Sequence, residues 1–402
     1  MAASAQTAAL PASSADLVAR AEALIPALRS RAIKVDADRR VADESIADML
    51  AADVLQMLAP HCFGGPQADL ATFLDAGIAI GHGCGSTGWL FGILGCHHWV
   101  LSHFPVAVQQ EMYGDKNHAL WPLSFSGKGG TARPVDGGFI VSGRWGFCSG
   151  IDFSDWIGVG VLIDKEDAHD LHDRYNVIVP RAEGEVIDTW FTAGMRGTGS
   201  RDFVANEVFV PTHRILSQEK MQNGDTPGYA ALSADYPALS APFYGVLLAA
   251  VMCPVLGITR RVIDDYVQAT RNRAGFRGLK PAARPAVQMK IGEAMARYDA
   301  TYRMVRAMFV EIDDAARLGQ QCTIEQRLRQ RRDTAFAAQT CVEIVDNLVS
   351  RAGAGAQTQT SHLQLAQRDI HTIRTHVVLD IEEAMELYGK HVLDQDLASV
   401  RF

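Results

Sequence analysis

Two histidines stand side by side at His97 and His98, inside an apolar run from Gly85 to Phe104. An imidazole titrates near neutrality, so either ring could draw off or accept the proton of a weakly acidic hydroxyl. Adjacent helical residues point about 100° apart, so only one of the pair can face a given cavity squarely. A core histidine satisfied by a backbone carbonyl is the plainer reading, and the sequence leaves both open. Ser149, in Trp145-Gly-Phe-Cys-Ser-Gly150, reads either as a turn serine or as a hydroxyl offered to a ligand. Thr198, Gly199 and Ser200 follow Gly194-Met-Arg-Gly197, where glycine lets backbone approach a bound group and leaves amides free. Arg196 and Arg201 beside them read equally as surface charges. Arg273 opens Arg-Ala-Gly-Phe276, and its fork suits a phosphate or simply a helix end. Late in the chain, Arg368-Asp-Ile-His-Thr-Ile-Arg-Thr-His376 carries His371 and His376. Their i,i+5 spacing is poor for ligation from one helix, and no carboxylate cluster supports it, so no metal is expected.

Gly83-Cys-Gly-Ser-Thr-Gly88 matches the pattern GxGxxG. A dinucleotide fingerprint needs a strand before it and an acidic residue about twenty positions later. Here Ala71–His82 reads as helix and positions 101–108 hold no carboxylate. The match is a decoy.

The elements that must position these residues change texture twice. Residues 15–115 read as helical, with Leu17, Ala21, Leu24, Ile25 and Leu28 at helical spacing, a second segment at Asp43–Ala52 and a third at Asp69–Gly81. His61-Cys-Phe-Gly-Gly-Pro66 breaks the run. From about Leu120 short β-rich runs appear: Phe139–Ser142, Trp156–Ile163, Asn176–Pro180 and Phe203–Val210. From Ala241 long periodic helices return, at Pro242–Ala274, Ala286–Leu318, Ile324–Ala352 and Ser361–Val392. The expected division is a disordered tail at 1–14, a helical domain at 15–117, a central β domain at 118–217 and a helical bundle at 218–402.

The 402 residues leave ample room for a core, at 48% hydrophobic and 21% charged. The net charge of −8 disfavours nonspecific binding to nucleic acid or an anionic membrane. Three histidines in the second half of Gly85–Phe104 argue for a buried core helix over a membrane span. Seven scattered cysteines without a CxxC pair, and no basic-then-apolar leader, point to a cytoplasmic protein with reduced thiols.

The stretches Asp136–Trp156 and Asp188–Pro211 together resemble the central β domain of the acyl-CoA dehydrogenase superfamily. In particular they look like its monooxygenase branch, the oxygenase components of two-component flavin-dependent phenol hydroxylases of the 4-hydroxyphenylacetate and seco-steroid type. The α, β, α order matches, and the resemblance covers nearly the whole chain after residue 15. It implies an α+β protein with an N-terminal helical domain, a β-barrel-like domain and a C-terminal bundle. It also implies reduced FMN or FAD from a separate NAD(P)H-dependent flavin reductase, molecular oxygen, a small aromatic substrate and a homotetramer. Hydroxylation would pass through a C4a-hydroperoxyflavin, with reduced flavin bound well and oxidised flavin weakly. Oxygenation at nitrogen, sulfur or an indole ring, an acyl-CoA dehydrogenase-like reaction, and a silent flavoprotein that assembles with a partner are the alternatives.

Residue by residue, Cys84–Trp89 is similar to the run leading into the cavity helix of those oxygenases. Their active-site histidine stands eight residues after that tryptophan, which implies His97 as the base for a phenol, with His98 as rival and Trp89 lining the substrate. Trp145 and Ser149 correspond to the segment along the flavin ring, where a serine bonds N5. Ser124 could contact flavin or substrate, with neighbouring Ser126 leaving the register open. Thr198, Gly199 and Ser200 match the turn closing one side of the flavin site. Arg273 matches an arginine that binds flavin phosphate across a subunit interface, although Arg277 replaces the glycine expected after Phe276. His376 matches a histidine that approaches the flavin oxygen adduct. Dehydrogenases commonly carry a glutamate base in this late region, and no carboxylate follows Ile373 here until Asp380.

Overall fold

Ser13 and Asp16 form a reciprocal capping box that starts the first helix, α1 (Ser14–Asp38), and a left-handed Arg39 ends it. In the computed structural model of the chain, residues 13–125, 129–164, 173–273 and 280–397 are described. The N-terminal helices continue as α2 (Asp43–Ala51), α3 (Leu70–Gly83), α4 (Gly85–Leu101) and α5 (Val106–Tyr113). Both carboxylate oxygens of Asp313 accept the free N–H groups of Leu70 and Ala71 at the start of α3, 2.9 and 3.0 Å away. Between α3 and α4 only Cys84 is extended, so the GxGxxG run is a kink between two helices.

The strands are β1 (Leu123–Ser124), β2 (Gly130–Val135), β3 (Gly138–Cys148), β4 (Trp156–Ile163), β5 (Arg174–Pro180), β6 (Glu185–Ile187), β7 (Arg201–Pro211) and β8 (Ile215–Ser217). They form one sheet in the order β6-β7-β3-β2-β4-β5-β8, with β1 parallel to β4. The expected barrel is not closed: β6 and β8 stand at opposite ends of an open sheet. Expectation and structure part at β2 as well, where Pro134 and polar residues hide a strand that pairs with β3 through six positions.

After α6 (Gln218–Gln222) and α7 (Pro227–Leu232) come the long helices α8 (Phe243–Asn272), α9 (Pro285–Arg317) and α10 (Ile324–Val349). The single helix expected over Ser361–Val392 is instead two, α11 (His362–Arg374) and α12 (Ile381–Val392). Between them the Asp380 side chain accepts from the N–H groups of Glu382 and Glu383, capping a new helix. That break holds His376.

Helix α8 is apolar and long enough to cross a membrane, but 89% of its apolar window is buried by α3, α4, α10 and α11. Close packing depends on missing side chains. A Cβ at Gly92 of α4 would stand 2.2 Å from the Ala250 carbonyl oxygen, and one at Gly77 of α3 would stand 2.1 Å from Cys253 Sγ. Helices α3 and α4 therefore lie almost in contact with the α8 backbone. A second, separate core fills the sheet, built from Val141, Trp145, Val159, Val177 and Phe203 among others.

Candidate functional site

The site begins where β3 loses register with β7, between Trp145 and Cys148. Phe147 takes a left-handed backbone (φ 61°) and is turned outward, 76% exposed. A bulge of this kind re-aims the side chains after it. Here it delivers Ser149 to the turn Met195–Ser200, where the Gly150 N–H donates to the Thr198 carbonyl (3.2 Å).

At that junction three hydroxyls line up. The Trp89 indole N–H donates to Ser149 Oγ at 3.0 Å. Ser149 Oγ lies 2.7 Å from Ser200 Oγ, which lies 2.7 Å from Thr198 Oγ1. Thr198 Oγ1 in turn donates to the Met195 carbonyl at 2.9 Å. The His376 ring stands edge-on to the Trp89 indole, centroids 5.5 Å apart. Burial pushes His376 down to about 4, so it is neutral at pH 7. The fold thus gathers Trp89, Ser149, Thr198, Ser200 and His376 from α4, β3, the 195–200 turn and the break after α11. Gly199 (φ 53°) closes that turn, and a Cβ there would meet Asp152 Oδ2 at 2.9 Å. Arg201, 16% exposed, pairs with Asp152 and Asp188, while Arg196 Nε donates to the Asp36 carbonyl. Arg196 thus holds the turn to α1, Arg201 ties the start of β7 to Asp152 and Asp188, and neither is a free surface charge.

The two histidines of α4 part company. Trp89 and His97 are eight residues apart, about 80° on the helix, whereas His98 falls about 180° away. His97 is 1% exposed and its Nδ1–H donates to the Trp121 carbonyl at 2.8 Å. That bond fixes the tautomer and leaves Nε2 as an acceptor. Its ring faces Trp121 and Phe125, and Phe125 packs on Phe243 at 4.9 Å. Burial pushes His97 down to about 4 against the pull of the Trp121 carbonyl. His98 points elsewhere, with Nδ1 bonded to Tyr113 Oη at 2.9 Å and Nε2 buried without a partner. Burial, with His118 and His97 adding, pushes it to about 3. His98 therefore belongs to the core around Tyr113, not to the face shared by Trp89 and His97.

One other expectation shifts. Trp145 is packed inside the sheet core, its indole N–H spent on the Gly160 carbonyl at 2.6 Å, so its side chain is not presented to a ligand. Sequence alone cannot distinguish that, because the face a strand residue takes depends on register. Ser124 Oγ donates to the Gly146 carbonyl (3.0 Å), tying β1 to the same end of β3. Ser126 and Ala274–Phe276 lie outside the described residues. Arg273 is exposed at the end of α8, where it donates to the Ala352 carbonyl, and among the described residues no contact joins it to the Ser149 group. Asp369, which its sequence neighbourhood does not single out, is structural to the site: it accepts the Met195 N–H at 2.6 Å. Burial raises it to about 7.

The geometry fits a flat ring with one polar edge. Trp89 is the one residue of α4 that is not fully buried, and exposed Phe147 lies at the adjoining bulge. Ser149 Oγ, bonded to the Trp89 indole and two residues past Phe147, offers a hydrogen-bonding point. A flavin ring is such a group. Asp380, the first carboxylate after Ile373, is engaged in capping α12.

Comparison with known proteins agrees. Residues 249–381 match the family described as acyl-CoA dehydrogenase, C-terminal domain. The chain is 33% identical over 372 residues to the oxygenase subunit HsaA, a flavin-dependent monooxygenase of Rhodococcus jostii, covering 92% of this chain and 96% of that one. It is 24% identical to the oxygenase component of p-hydroxyphenylacetate 3-hydroxylase from Acinetobacter baumannii, covering 96% and 90%. The crystal structure of 3-HSA hydroxylase from Rhodococcus sp. RHA1 superposes with a TM-score of 0.90 at 31% identity, over 95% of this chain and 98% of that one. In fold, XiaF from Streptomyces, solved with FADH2, is similar at a TM-score of 0.89 and 24% identity, over 97% and 98%. With its fold and its bulge-built hydroxyl line, the chain belongs to the acyl-CoA dehydrogenase superfamily and, within it, to the oxygenase components of two-component flavin-dependent monooxygenases.

Proposed function

We propose that this chain hydroxylates a small phenolic ring, using reduced FMN or FAD delivered by a separate NAD(P)H-dependent reductase and molecular oxygen. The observation that carries the reading is the fixed tautomer of His97. Its Nδ1–H is committed to Trp121, which leaves Nε2 as the acceptor of a buried ring packed against Trp121 and Phe125, about 80° around α4 from Trp89. A phenol near pKa ~10 is a weak nucleophile at neutral pH, and accepting its proton raises electron density on the ring. Eight residues of helix separate Trp89 from His97, roughly 12 Å along the axis, a span suited to a single substituted ring.

When bound, reduced flavin supplies the activated oxygen atom. The chain's own residues bind and orient: Ser149 holds the flavin's polar edge, Thr198, Gly199 and Ser200 close one side, and Trp89 and His376 sit over the reacting region. Phe125, Trp121 and Phe243 keep water from it. Arg273 suits a flavin phosphate brought by a neighbouring subunit. A homotetramer is supported by exposed apolar residues concentrated in the last helices: Met289, Leu318, Phe336, Val377, Val392 and Leu393. The division into helical (15–117), β (118–217) and helical (218–402) domains follows the same plan, and the free thiols suit the cytoplasm.

The test is to mix the protein with reduced flavin and oxygen across a panel of phenols, thioethers, amines and indoles. Hydroxylated phenol with little hydrogen peroxide is the expected product. Turnover confined to sulfur, nitrogen or indole would replace the substrate class. Stoichiometric oxidised FAD together with acyl-CoA oxidation would sink the reading.

A further inference from the structure

We propose that Thr198 and Ser200 make this site selective for the redox state of its flavin, by fixing which way the Ser149 hydroxyl points. The inference rests on the flavin reading above. Each hydroxyl in the line has one proton to give. The Met195 carbonyl can only accept, so the Thr198 hydroxyl proton is committed to it. Thr198 therefore accepts from Ser200 (2.7 Å), and Ser200 in turn accepts from Ser149 (2.7 Å). Trp89 can only donate, and its indole N–H fills one lone pair of Ser149 Oγ (3.0 Å). With its proton sent to Ser200 and one lone pair filled by Trp89, Ser149 has a single vacancy, and that vacancy is an acceptor.

A ligand edge that meets Ser149 must then bring a donor. Reduced isoalloxazine carries an N–H at N5, whereas the oxidised ring has a lone pair there. The reduced ring completes the line. The oxidised ring sets one lone pair against another in a site with Ser149 and Ser200 both buried, where an unmade hydrogen bond is most costly.

The anchor of this polarity is firmly placed. Met195 is a non-glycine residue held at φ 53°, a conformation that persists only when its surroundings enforce it. Asp369 accepts its N–H at 2.6 Å, and Trp190 Nε1 also donates to its carbonyl at 2.9 Å. Arg368 of α11 donates to the Ala193 carbonyl at 2.5 Å, and a Cβ at Gly194 would meet the Arg368 carbonyl at 2.1 Å. Helix α11 thus clamps the peptide whose carbonyl sets the direction of every hydroxyl proton up to Ser149.

The experiment measures dissociation constants of FMN and FAD in both redox states, anaerobically for the reduced form, in wild type, Ser200→Ala and Thr198→Val. No turnover is needed. Wild type should favour the reduced form. Ser200→Ala releases the Ser149 proton, which can then donate to oxidised N5. The oxidised-to-reduced ratio of dissociation constants should fall about tenfold, the worth of one hydrogen bond gained by the disfavoured state. Thr198→Val, which unpins Ser200, should move the ratio the same way by less. A purely structural role would weaken both redox states together and leave the ratio unchanged, and that result in folded variants overturns the proposal. Equal binding of both states by wild type overturns it too, while leaving the flavin site standing. If wild type binds neither state, the flavin reading itself fails, and the proposal with it.

Discussion

At the scale of single residues, burial and a neighbouring carbonyl decide what each group can do. His97 would titrate near neutrality in water, yet burial pushes it down to about 4. It stays a neutral acceptor as acid is added, so hydroxylation per flavin oxidised should hold from about pH 8 to about pH 5. A fall centred near 6.5 would mean a solvated ring. His97→Ala should lower hydroxylation by roughly two to four orders of magnitude while flavin oxidation by oxygen continues. Normal product from that variant would remove phenol activation from the scheme. Ser149→Ala deletes the acceptor at the flavin edge and should divert oxygen to hydrogen peroxide, with oxygen uptake unchanged and product reduced. Unaltered coupling would place the flavin edge somewhere other than Ser149.

At the scale of elements, two irregularities and one close approach build the site. The bulge in β3 turns Phe147 out and Ser149 in, and the break between α11 and α12 frees His376 to meet Trp89. The approach is α4 on α8 at Gly92, whose added Cβ would stand 2.2 Å from the Ala250 oxygen. Gly92→Ala must push α4 away, carrying Trp89 and His97 on the same rigid helix. Overpacking of this kind costs about 1–3 kcal/mol. Calorimetry should show a lowered melting temperature, and product assays a larger share of hydrogen peroxide. An unchanged melt with unchanged coupling would show that the α4–α8 contact has slack. Gly292, with nothing near its Cβ position, is the control on an exposed helix face.

For the whole molecule, proton linkage sets acid tolerance. Buried His97, His98 and His103 are pushed down to about 4, 3 and 3, so the unfolded chain binds their protons first and stability falls as pH drops below about 6.5. Asp313 and Asp369 act oppositely. Burial raises them to about 6 and about 7, so the folded chain keeps their protons between about pH 4 and those values. Their share of stability is full below about pH 4 and lost as pH rises through the folded value. Asp313→Asn removes one such opposing proton and keeps one oxygen to accept an N–H at the start of α3. Between about pH 4.5 and 5.5 its stability should therefore fall more steeply with acid than wild type, by about one proton's slope. Urea titrations at several pH values measure this, and parallel slopes would show that Asp313 is ionised in the folded state.

Helices at 14–38, 70–83, 243–272, 285–317 and 324–349 were legible because apolar spacing and caps are local; the first runs six residues past the Ala15–Ala32 that its spacing marks, and the other boundaries moved by at most three. The chemistry-bearing types were legible as well: the serine of the Trp145–Gly150 segment, the glycine turn at 194–199, and the histidines of α4. Distant contacts decided the rest. Nothing local separates His97 from His98; the Trp121 carbonyl and the Tyr113 hydroxyl, 24 and 15 residues away, do so. Trp145 lies in the same short motif as Ser149, and a one-residue slip against β7 buries one ring in the sheet core while turning the other side chain toward the 195–200 turn. The direction of the hydroxyl line depends on residues 89, 149, 195, 198 and 200 meeting at one point. A hydrogen bond needs atoms within about 3 Å, and sequence specifies spacing along the chain, whereas only the folded packing of α4, α11 and the sheet specifies distance across it.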